Sequence, residues 1–326
     1  MSASASAPGK MMLSGEYAVL EGAPALVAAV QARATATIGP APADDPHVAR
    51  DLDHAEPRYP EAARTRRLAE KELGEQAGAL RIDVEALRKA GRKLGLGSSA
   101  AAAAAAAGAV FVGVGRDPQD AVSRARILSL ALEGHRAVSP NGSGADVAAA
   151  VLGGFVRFRL DPATREADAR DGSWPEGLVA RVAWTGQAAS TRELIGRVHA
   201  LRDRDAAAYQ AAMQRLHDES AHFAAAFQES PAAIVEAAAR YHEAMDALGR
   251  AADAPIVEGR LRKVAELAAA AGGRAKPSGA GGGDVAIAFF TSDEAAADFE
   301  ARCAAAEYDV LALELGGPGV KMSSAR

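Results

Sequence analysis

Eight consecutive alanines, Ala100–Ala107, follow directly on a short segment rich in glycine and serine. Alanine has the highest helix propensity of the common residues, so this run predicts a helix that begins near Ser99. The preceding segment, Gly91–Ser99, predicts a tight turn, because glycine adopts backbone conformations that other residues avoid. The chain should therefore contain a glycine-rich turn that leads straight into a helix.

This turn has the composition of a phosphate-binding loop. Gly95 and Gly97 would let backbone N–H groups face an anion, and the helix behind them adds the positive end of its dipole. The hydroxyls of Ser98 and Ser99 can bind phosphate oxygens or Mg²⁺. An ordinary turn with Ser98 as N-cap remains the alternative. The predicted phosphate site consists of Gly95, Leu96, Gly97, Ser98, Ser99 and Ala100.

The same residues also match a dinucleotide fingerprint. Gly95-x-Gly97-x-x-Ala100 fits the pattern G-x-G-x-x-G/A. That fingerprint does not require the doubled serine, and no acidic residue ends a clear second strand about 20 residues later. The other common nucleotide loop, G-x-x-x-x-G-K-[ST], does not occur in the sequence. The match is therefore weak evidence for a dinucleotide site.

A second glycine-rich loop occurs at Lys276–Asp284, where four of the five positions from 279 to 283 are glycine. Glycine costs about 0.5–1 kcal/mol inside a helix or strand, so these residues do not serve regular structure. A backbone that closely approaches a ligand explains them better than a flexible turn does. The residues predicted to do so are Gly279, Ala280, Gly281 and Gly282.

Several charged or polar residues are candidates for chemistry. Lys10 starts an apolar strand that has Glu16 and Tyr17 at its far end, and Asp146 follows the small polar loop Ser139–Ala145. Taken singly, each has an ordinary explanation. A lysine is usually a solvated charge, a glutamate in a turn usually pairs or caps, and an acid at the mouth of a helix often only complements its dipole.

A capping box, Ser190-x-x-Glu193, predicts the start of another helix. Arg192 lies within this first turn. It could bind an anion there, and a solvated surface charge is an equally good interpretation.

Charge and composition narrow the class of function. The net charge of −5 argues against nucleic acid as the main partner, since binding the phosphate backbone requires a basic face. The single cysteine, Cys303, excludes an internal disulfide and fits a reduced, cytoplasmic setting. No segment resembles a signal peptide, and the longest apolar stretch is too short to cross a bilayer. The seven histidines lack metal-ligand spacing, so no zinc site is expected.

Other segments predict the organisation of the chain. Lys10–Val19 and Pro24–Thr37 predict an early β-meander, and residues 39–60 an exposed loop. Asp117-Pro118 predicts the start of a helix that ends at Arg136. The polar segment Pro162–Pro175 is the predicted domain boundary. Strands alternating with helices in the second half predict α+β or α/β layering.

Three segments together resemble the GHMP kinase superfamily, whose members phosphorylate small molecules. Its first motif resembles Ala7–Tyr17 extended to Val27, its second Lys93–Ala102, and its third Lys276–Asp284. This triple match covers nearly the whole chain and is highly specific. It implies an α+β fold with two domains: residues 1–172, like the second domain of ribosomal protein S5, and residues 173–326, ferredoxin-like.

The resemblance also implies the cofactors ATP and Mg²⁺, with the acceptor held between the domains. Lys10 and Asp146 match the catalytic residues. Some relatives place a Mg²⁺-binding Glu eleven residues before that Asp, where this chain has His135. The implied metal ligands are Ser98, Ser99 and Glu133. The implied substrate-binding residues are Lys10, Glu16, Tyr17, Asn141, Ser143, Ser190 and Arg192.

Within the superfamily, the motifs are most similar to those of phosphomevalonate kinases. Tyr17 follows Glu16, whereas mevalonate kinases typically have His there, and the third motif ends in Asp284. This implies phosphomevalonate as the acceptor, with mevalonate or another small alcohol as the alternative. A catalytically inactive binding protein would be expected to lose Lys10 or Asp146, and both are present. We expect a small-molecule substrate, no nucleic-acid or membrane partner, and a monomer or homodimer.

Overall fold

A computed structural model describes residues 2–40, 45, 47–49 and 58–323 of the 326-residue chain. Most of the exposed loop predicted at 39–60 therefore lies outside the described residues. The described part contains nine α-helices and twelve strands, and all its strand pairs are antiparallel. Helices packed on antiparallel sheets define an α+β protein, as predicted. None of these helices combines the length and apolar character needed to cross a membrane.

The strands in chain order are β1 (Ala3–Ser14), β2 (Ala25–Gly39), β3 (Ala79–Asp83), β4 (Arg88–Lys89), β5 (Arg92–Lys93), β6 (Phe155–Leu160), β7 (Ala167–Gly172), β8 (Val179–Trp184), β9 (Arg274–Pro277), β10 (Val285–Phe290), β11 (Asp309–Leu311) and β12 (Lys321–Met322). The helices are α1 (Pro60–Leu73), α2 (Ser98–Gly113), α3 (Ala121–Val138), α4 (Ala145–Leu152), α5 (Thr191–Arg204), α6 (Ala206–Ala226), α7 (Pro231–Ala252), α8 (Gly259–Ala270) and α9 (Asp293–Ala305). Short 3-10 turns occur at Ala18–Glu21 and Glu85–Leu87.

The first sheet has the strand order β12-β1-β2-β6-β7, and β3 also pairs with β2. Helix α2 lies against β1 and β2, and its nine alanines are all buried. A Cβ added at Gly108 would lie 2.7 Å from the side chain of Val320 and 3.0 Å from that of Ala5. The small residues of α2 therefore let the helix approach the sheet closely, which fixes the position of its N-terminus at Ser98.

The second sheet has the order β11-β8-β10-β9, and every residue of β10 is buried. Alternate residues of β10 belong to two separate apolar clusters, because side chains alternate between the faces of a strand. One cluster, shared with α7, takes Val285, Ile287 and Phe289, and the other, shared with α8 and α9, takes Ala286, Ala288 and Phe290. Helices thus cover both faces of this sheet.

The end of the chain returns to the first sheet. Strand β12 pairs with β1, with Ser6 opposite Lys321, and the guanidinium of Arg33 donates to the carbonyls of Pro318 and Gly319 at 2.6 and 2.7 Å. The last described residues of the chain therefore pack with the first sheet. No pattern in the sequence predicted strand β12. The domain boundary between residues 172 and 173 stays a prediction.

Several predicted elements differ in their bounds. The first strand of the predicted meander covers Ala3–Ser14 rather than Lys10–Val19. Helix α3 begins at Ala121 rather than at Asp117, because the carboxylate of Asp120 accepts from the N–H groups of Val122 and Ser123. The polar segment at 162–175 contains the edge strand β7, whose outer face is exposed to water. Its polar composition reflects this exposure.

Candidate active site

Two clefts adjoin in the described part of the chain. The first, which we call the glycine cleft, has a volume of about 640 Å³ and is walled by the two glycine loops at 95–99 and 279–281. The second, the α5 cleft, has a volume of about 630 Å³ and lies between residues 138–146 and helix α5. The clefts meet at the residues that line both of them: Lys10, His135, Ser139, Asp146 and Thr191.

Close packing brings the two glycine loops together. Gly95 has a φ of +74°, and a Cβ there would lie 2.7 Å from the Cβ and Oδ2 atoms of Asp284. Residue 95 must therefore be glycine both for its backbone conformation and for the approach of Asp284. Burial raises the pKa of the Asp284 carboxyl, although the N–H of Ala189 and the charges of Lys10 and Lys93 oppose the shift.

The N-terminus of α2 points its unused donors at the glycine cleft. Gly97 precedes the helix with a φ of +71°, and no side chain caps it, so Ser98 is not an N-cap. The first N–H groups of a helix have no partner within it. The hydroxyls of Ser98 and Ser99 line the cleft and make no hydrogen bond with the described residues. This set of N–H and O–H donors can bind an anion.

Lys10 and Asp146 both lie against Gly97, where the clefts meet. A Cβ at Gly97 would be 2.9 Å from Cγ of Lys10 and 3.6 Å from Cβ of Asp146. The N–H of Lys10 donates to the carbonyl of Leu96 at 2.9 Å, and its ammonium lies 3.4 Å from the carbonyl of Gly95. Both residues therefore lie beside the predicted phosphate loop, and their catalytic role stays a prediction.

A buried ion pair anchors the second glycine loop. The ammonium of Lys276 lies 2.5 Å from Oε1 of Glu16, and both side chains are almost fully inaccessible to water. The N–H of Gly279 donates to the same oxygen at 3.3 Å. Burial lowers the pKa of Lys276, and the charge of Glu16 opposes this. Glu16 was predicted to bind substrate. It lies outside both clefts and instead positions the loop.

Tyr17 and Ser278 add to this anchor. The hydroxyl of Tyr17 donates to the carbonyl of Ala280 at 2.6 Å, so Tyr17 also positions the loop and does not line either cleft. The hydroxyl of Ser278 accepts from the N–H of Met12 at 2.9 Å and donates to its carbonyl at 3.0 Å. These contacts join the end of β1 and the turn after it to the second glycine loop, which is more than 250 residues away in sequence.

Glu61 and His135 form a second buried pair, which no sequence motif predicted. Nδ1 of His135 lies 3.4 Å from Oε1 of Glu61, and that oxygen also accepts from the hydroxyl of Ser139 at 2.9 Å. Burial lowers the pKa of His135, but Glu61 and Asp146 raise it more, so its pKa lies above the usual value. Glu61 comes from α1, which carries no glycine or polar motif that would have marked it.

The α5 cleft contains four of the predicted substrate-binding residues, one of which is Lys10 at the junction. Asn141 and Ser143 line one side, on the loop between α3 and α4, and Arg192 lines the other, in the first turn of α5. With Lys10 and Asp146 at the junction, this cleft combines anion-binding and hydrogen-bonding groups beside the glycine cleft.

Four further predicted residues lie outside both clefts. Ala100 is buried within α2, and Gly282 faces Leu194, since a Cβ there would lie 2.9 Å from the leucine. The hydroxyl of Ser190 accepts from the N–H of Glu193, so it caps α5. Glu133 was predicted as a metal ligand. It is exposed on α3 and lies outside both clefts, which contradicts that prediction.

The glycine cleft has residues that suit Mg²⁺ bound together with phosphates. Among the described residues no three side chains of His, Cys, Asp or Glu form a metal cluster. Mg²⁺ in kinases usually needs only one or two carboxylates, because the phosphates and water complete its coordination. Asp146, Ser98 and Ser99 line this cleft, and so does Glu61, whose Oε2 is buried without a hydrogen-bond partner.

Comparison with known proteins identifies the family. The model of the GHMP kinases N terminal domain matches residues 62–154, and that of the GHMP kinases C terminal domain matches residues 223–309. The chain belongs to the GHMP kinase family. It is a phosphotransferase with the α+β fold of that family, which confirms what the three loops predicted.

Individual relatives agree with this. A phosphomevalonate kinase of Streptomyces sp. (strain CL190) is 30% identical over 338 residues, covering 88% of this chain and 89% of that protein. The structure of Streptococcus pneumoniae phosphomevalonate kinase with phosphomevalonate and AMPPNP has a TM-score of 0.77 at 20% identity, covering 96% and 99% of the two chains. That of L. major mevalonate kinase with R-mevalonate has a TM-score of 0.69 at 20% identity, covering 96% and 95%.

Proposed function

We propose that this kinase transfers the γ-phosphoryl group of ATP to phosphomevalonate and forms diphosphomevalonate. The observation that carries the proposal is the meeting of the two clefts at Lys10 and Asp146. A nucleotide in the glycine cleft and an acceptor in the α5 cleft would bring their phosphates together there. The Streptomyces phosphomevalonate kinase, 30% identical over most of both chains, supports this acceptor.

The glycine cleft would hold the nucleotide. The free N–H groups at the start of α2 and the hydroxyls of Ser98 and Ser99 suit the phosphates of ATP. Asp146, these hydroxyls and Glu61 would hold Mg²⁺ together with the phosphates. When bound, Mg²⁺ neutralises phosphate charge.

Lys10 and Asp146 would act on the transfer itself. Phosphoryl transfer depends mainly on positioning and on neutralising charge, and the ammonium of Lys10 supplies a positive charge where the clefts meet. A phosphate acceptor is largely dianionic near pH 7, because its second pKa is about 6. It needs no base, so Asp146 would orient Lys10. Arg192 in the α5 cleft would offset repulsion between the two phosphates.

Mevalonate is the second candidate acceptor. The fold is shared with mevalonate kinase, and Asp146 lies where it could remove a proton from an alcohol. We further propose a cytoplasmic enzyme, which the single buried cysteine, Cys303, supports. Whether it is a monomer or a homodimer stays a prediction.

We expect ADP release to be fast with phosphomevalonate and at least about 100-fold slower, as kcat/KM, with mevalonate. A difference of this size corresponds to about 2.7 kcal/mol in transition-state binding. One or two charge-assisted hydrogen bonds can supply this free energy. A coupled assay that measures both acceptors side by side tests this. Equal or higher kcat/KM with mevalonate would reject phosphomevalonate as the preferred acceptor.

Removing either hydroxyl from the phosphate loop should weaken nucleotide binding. For Ser98→Ala and Ser99→Ala we expect the KM for ATP to rise about 10-fold, the value of one lost hydrogen bond to a charged group, while thermal stability is unchanged. Ser129→Ala on α3, outside both clefts, is the control. Unchanged nucleotide titrations in both variants would contradict the proposed cradle.

A further inference from the structure

Helix α5 forms one wall of the α5 cleft from Thr191 to His199. Thr191 lines both clefts, whereas Gly196 and His199 line only the α5 cleft. The intervals between Arg192, Gly196 and His199 are four and three residues, so these residues share one face of the helix. At a rise of 1.5 Å per residue, His199 lies about 10 Å beyond Arg192, away from the site of transfer.

Gly196 has no structural reason to be glycine. Its φ is not positive, and a Cβ there would meet no atom within 4 Å. Glycine in the middle of a helix is unfavourable relative to alanine. The absent side chain leaves open space in the cleft wall, between Arg192 and His199. This space is what a bound molecule lying along α5 would use.

The basic side chains of α5 that have no partner in the described part of the chain lie on the face that lines the cleft. Arg197 donates to Glu193 and to the carbonyl of Asp253, and Arg204 donates to the carbonyl of Ala251. Arg202 lies 3.7 Å from Asp203. Arg192 and His199, by contrast, make no hydrogen bond or ion pair with any described residue.

The other residues of the α5 cleft favour an anion near His199, away from the junction with the glycine cleft. Among the described residues that line it, Asp146 is the single carboxylate, and it lies at the junction with the glycine cleft. The opposite wall offers the amide of Asn141 and the hydroxyl of Ser143. A negatively charged group near His199 would therefore meet no like charge among the cleft's described residues. Asp203, one turn beyond His199 on α5, lies 3.7 Å from Arg202.

We propose that His199 and Gly196 form the subsite for the carboxylate end of the acceptor. The inference rests on the proposed function, because phosphomevalonate carries its phosphate and its carboxylate at opposite ends. With the phosphate at Lys10 and Arg192, the chain of the molecule must extend along α5. Gly196 leaves room for it, and the imidazole of His199 donates to the carboxylate.

The test compares His199→Leu and Gly196→Leu with two controls. His217→Leu makes the same change on α6, outside the α5 cleft. Gly196→Ala adds a single carbon to the subsite and should raise the KM for phosphomevalonate less than Gly196→Leu does. We expect the KM for phosphomevalonate to rise at least about 10-fold in the two test variants, with kcat and the KM for ATP within about 3-fold of wild type. Neither leucine should lower the melting temperature, because Gly196 has open space and His199 has no partner. Calorimetric titration with phosphomevalonate should show the same loss.

A phosphate monoester without a carboxylate separates this role from general damage. 3-Methylbutyl phosphate, used as a competitive inhibitor, should bind wild type and His199→Leu equally. An equal loss for both ligands, or a KM like that of His217→Leu, overturns the proposal, and so does a wild-type KM in Gly196→Leu. If wild type uses mevalonate instead, the proposed acceptor fails, but the subsite still predicts a raised KM for mevalonate, whose carboxylate is the same. If wild type binds neither phosphomevalonate nor mevalonate, both the proposed function and the proposed subsite are rejected.

Discussion

Replacing Lys10 with methionine is expected to lower kcat by at least about 100-fold while the protein stays folded. Methionine keeps the part of the side chain that packs against Gly97 but removes the charge where the clefts meet. Its loss leaves the charge that develops on the transferred phosphoryl group without this ammonium. The measurement is steady-state ADP release at saturating ATP and acceptor, with a melting curve for the fold.

Two further variants sharpen this result. Lys93→Met removes a charge that lines only the glycine cleft, so it should affect the KM for ATP more than kcat. Asp146→Asn should lower kcat at least about 100-fold as well, because Asp146 contacts the same glycine, Gly97, as Lys10. Near-normal kcat in Lys10→Met or in Asp146→Asn would remove that residue from the proposed catalytic pair.

The sequence predicted those parts of the site that depend on local conformation. Gly95 and Gly97 adopt positive φ, and the helix that follows begins one residue before the predicted start. Positive φ and helix propensity are properties of single residues and short segments, so a pattern of glycine, serine and alanine reveals them. The same applies to the cap of α5 by Ser190.

Contacts between distant segments were not predictable in this way. Glu61 reaches the site from α1, and its partner His135 is more than 70 residues away. Strand β12 has only two residues, and its pairing with β1 depends on how the chain returns after β11. Glu16 and Tyr17 were expected at the substrate because they belong to the first motif that resembles the GHMP kinases. A sharp turn at Gly15, where φ is +101°, instead places them beside the second glycine loop.

Breaking the buried pair between Glu16 and Lys276 should give the largest loss of stability. We expect Lys276→Met to lower the free energy of unfolding by about 3–5 kcal/mol, because the carboxylate of Glu16 would remain buried without its counter-charge. Its Oε2 already lacks a hydrogen-bond partner, and Gly279 alone would donate to Oε1. Urea unfolding followed by circular dichroism measures the loss.

Lys276→Met loses stability because it leaves a buried charge without a partner. Removing both charges should therefore restore much of the free energy of unfolding. In the double variant Glu16→Gln/Lys276→Met, a neutral amide replaces the buried charge and can still accept from Gly279. We expect it to be more stable than Lys276→Met, with an interaction energy of about 2–3 kcal/mol in the double-mutant cycle. Arg302→Met breaks an exposed pair with Asp298 and should cost at most about 1 kcal/mol. If Lys276→Met costs no more than Arg302→Met, this ion pair does not stabilise the second glycine loop. If Lys276→Met costs about 3–5 kcal/mol, a charge pair between residues 260 positions apart holds the glycines of that loop in place.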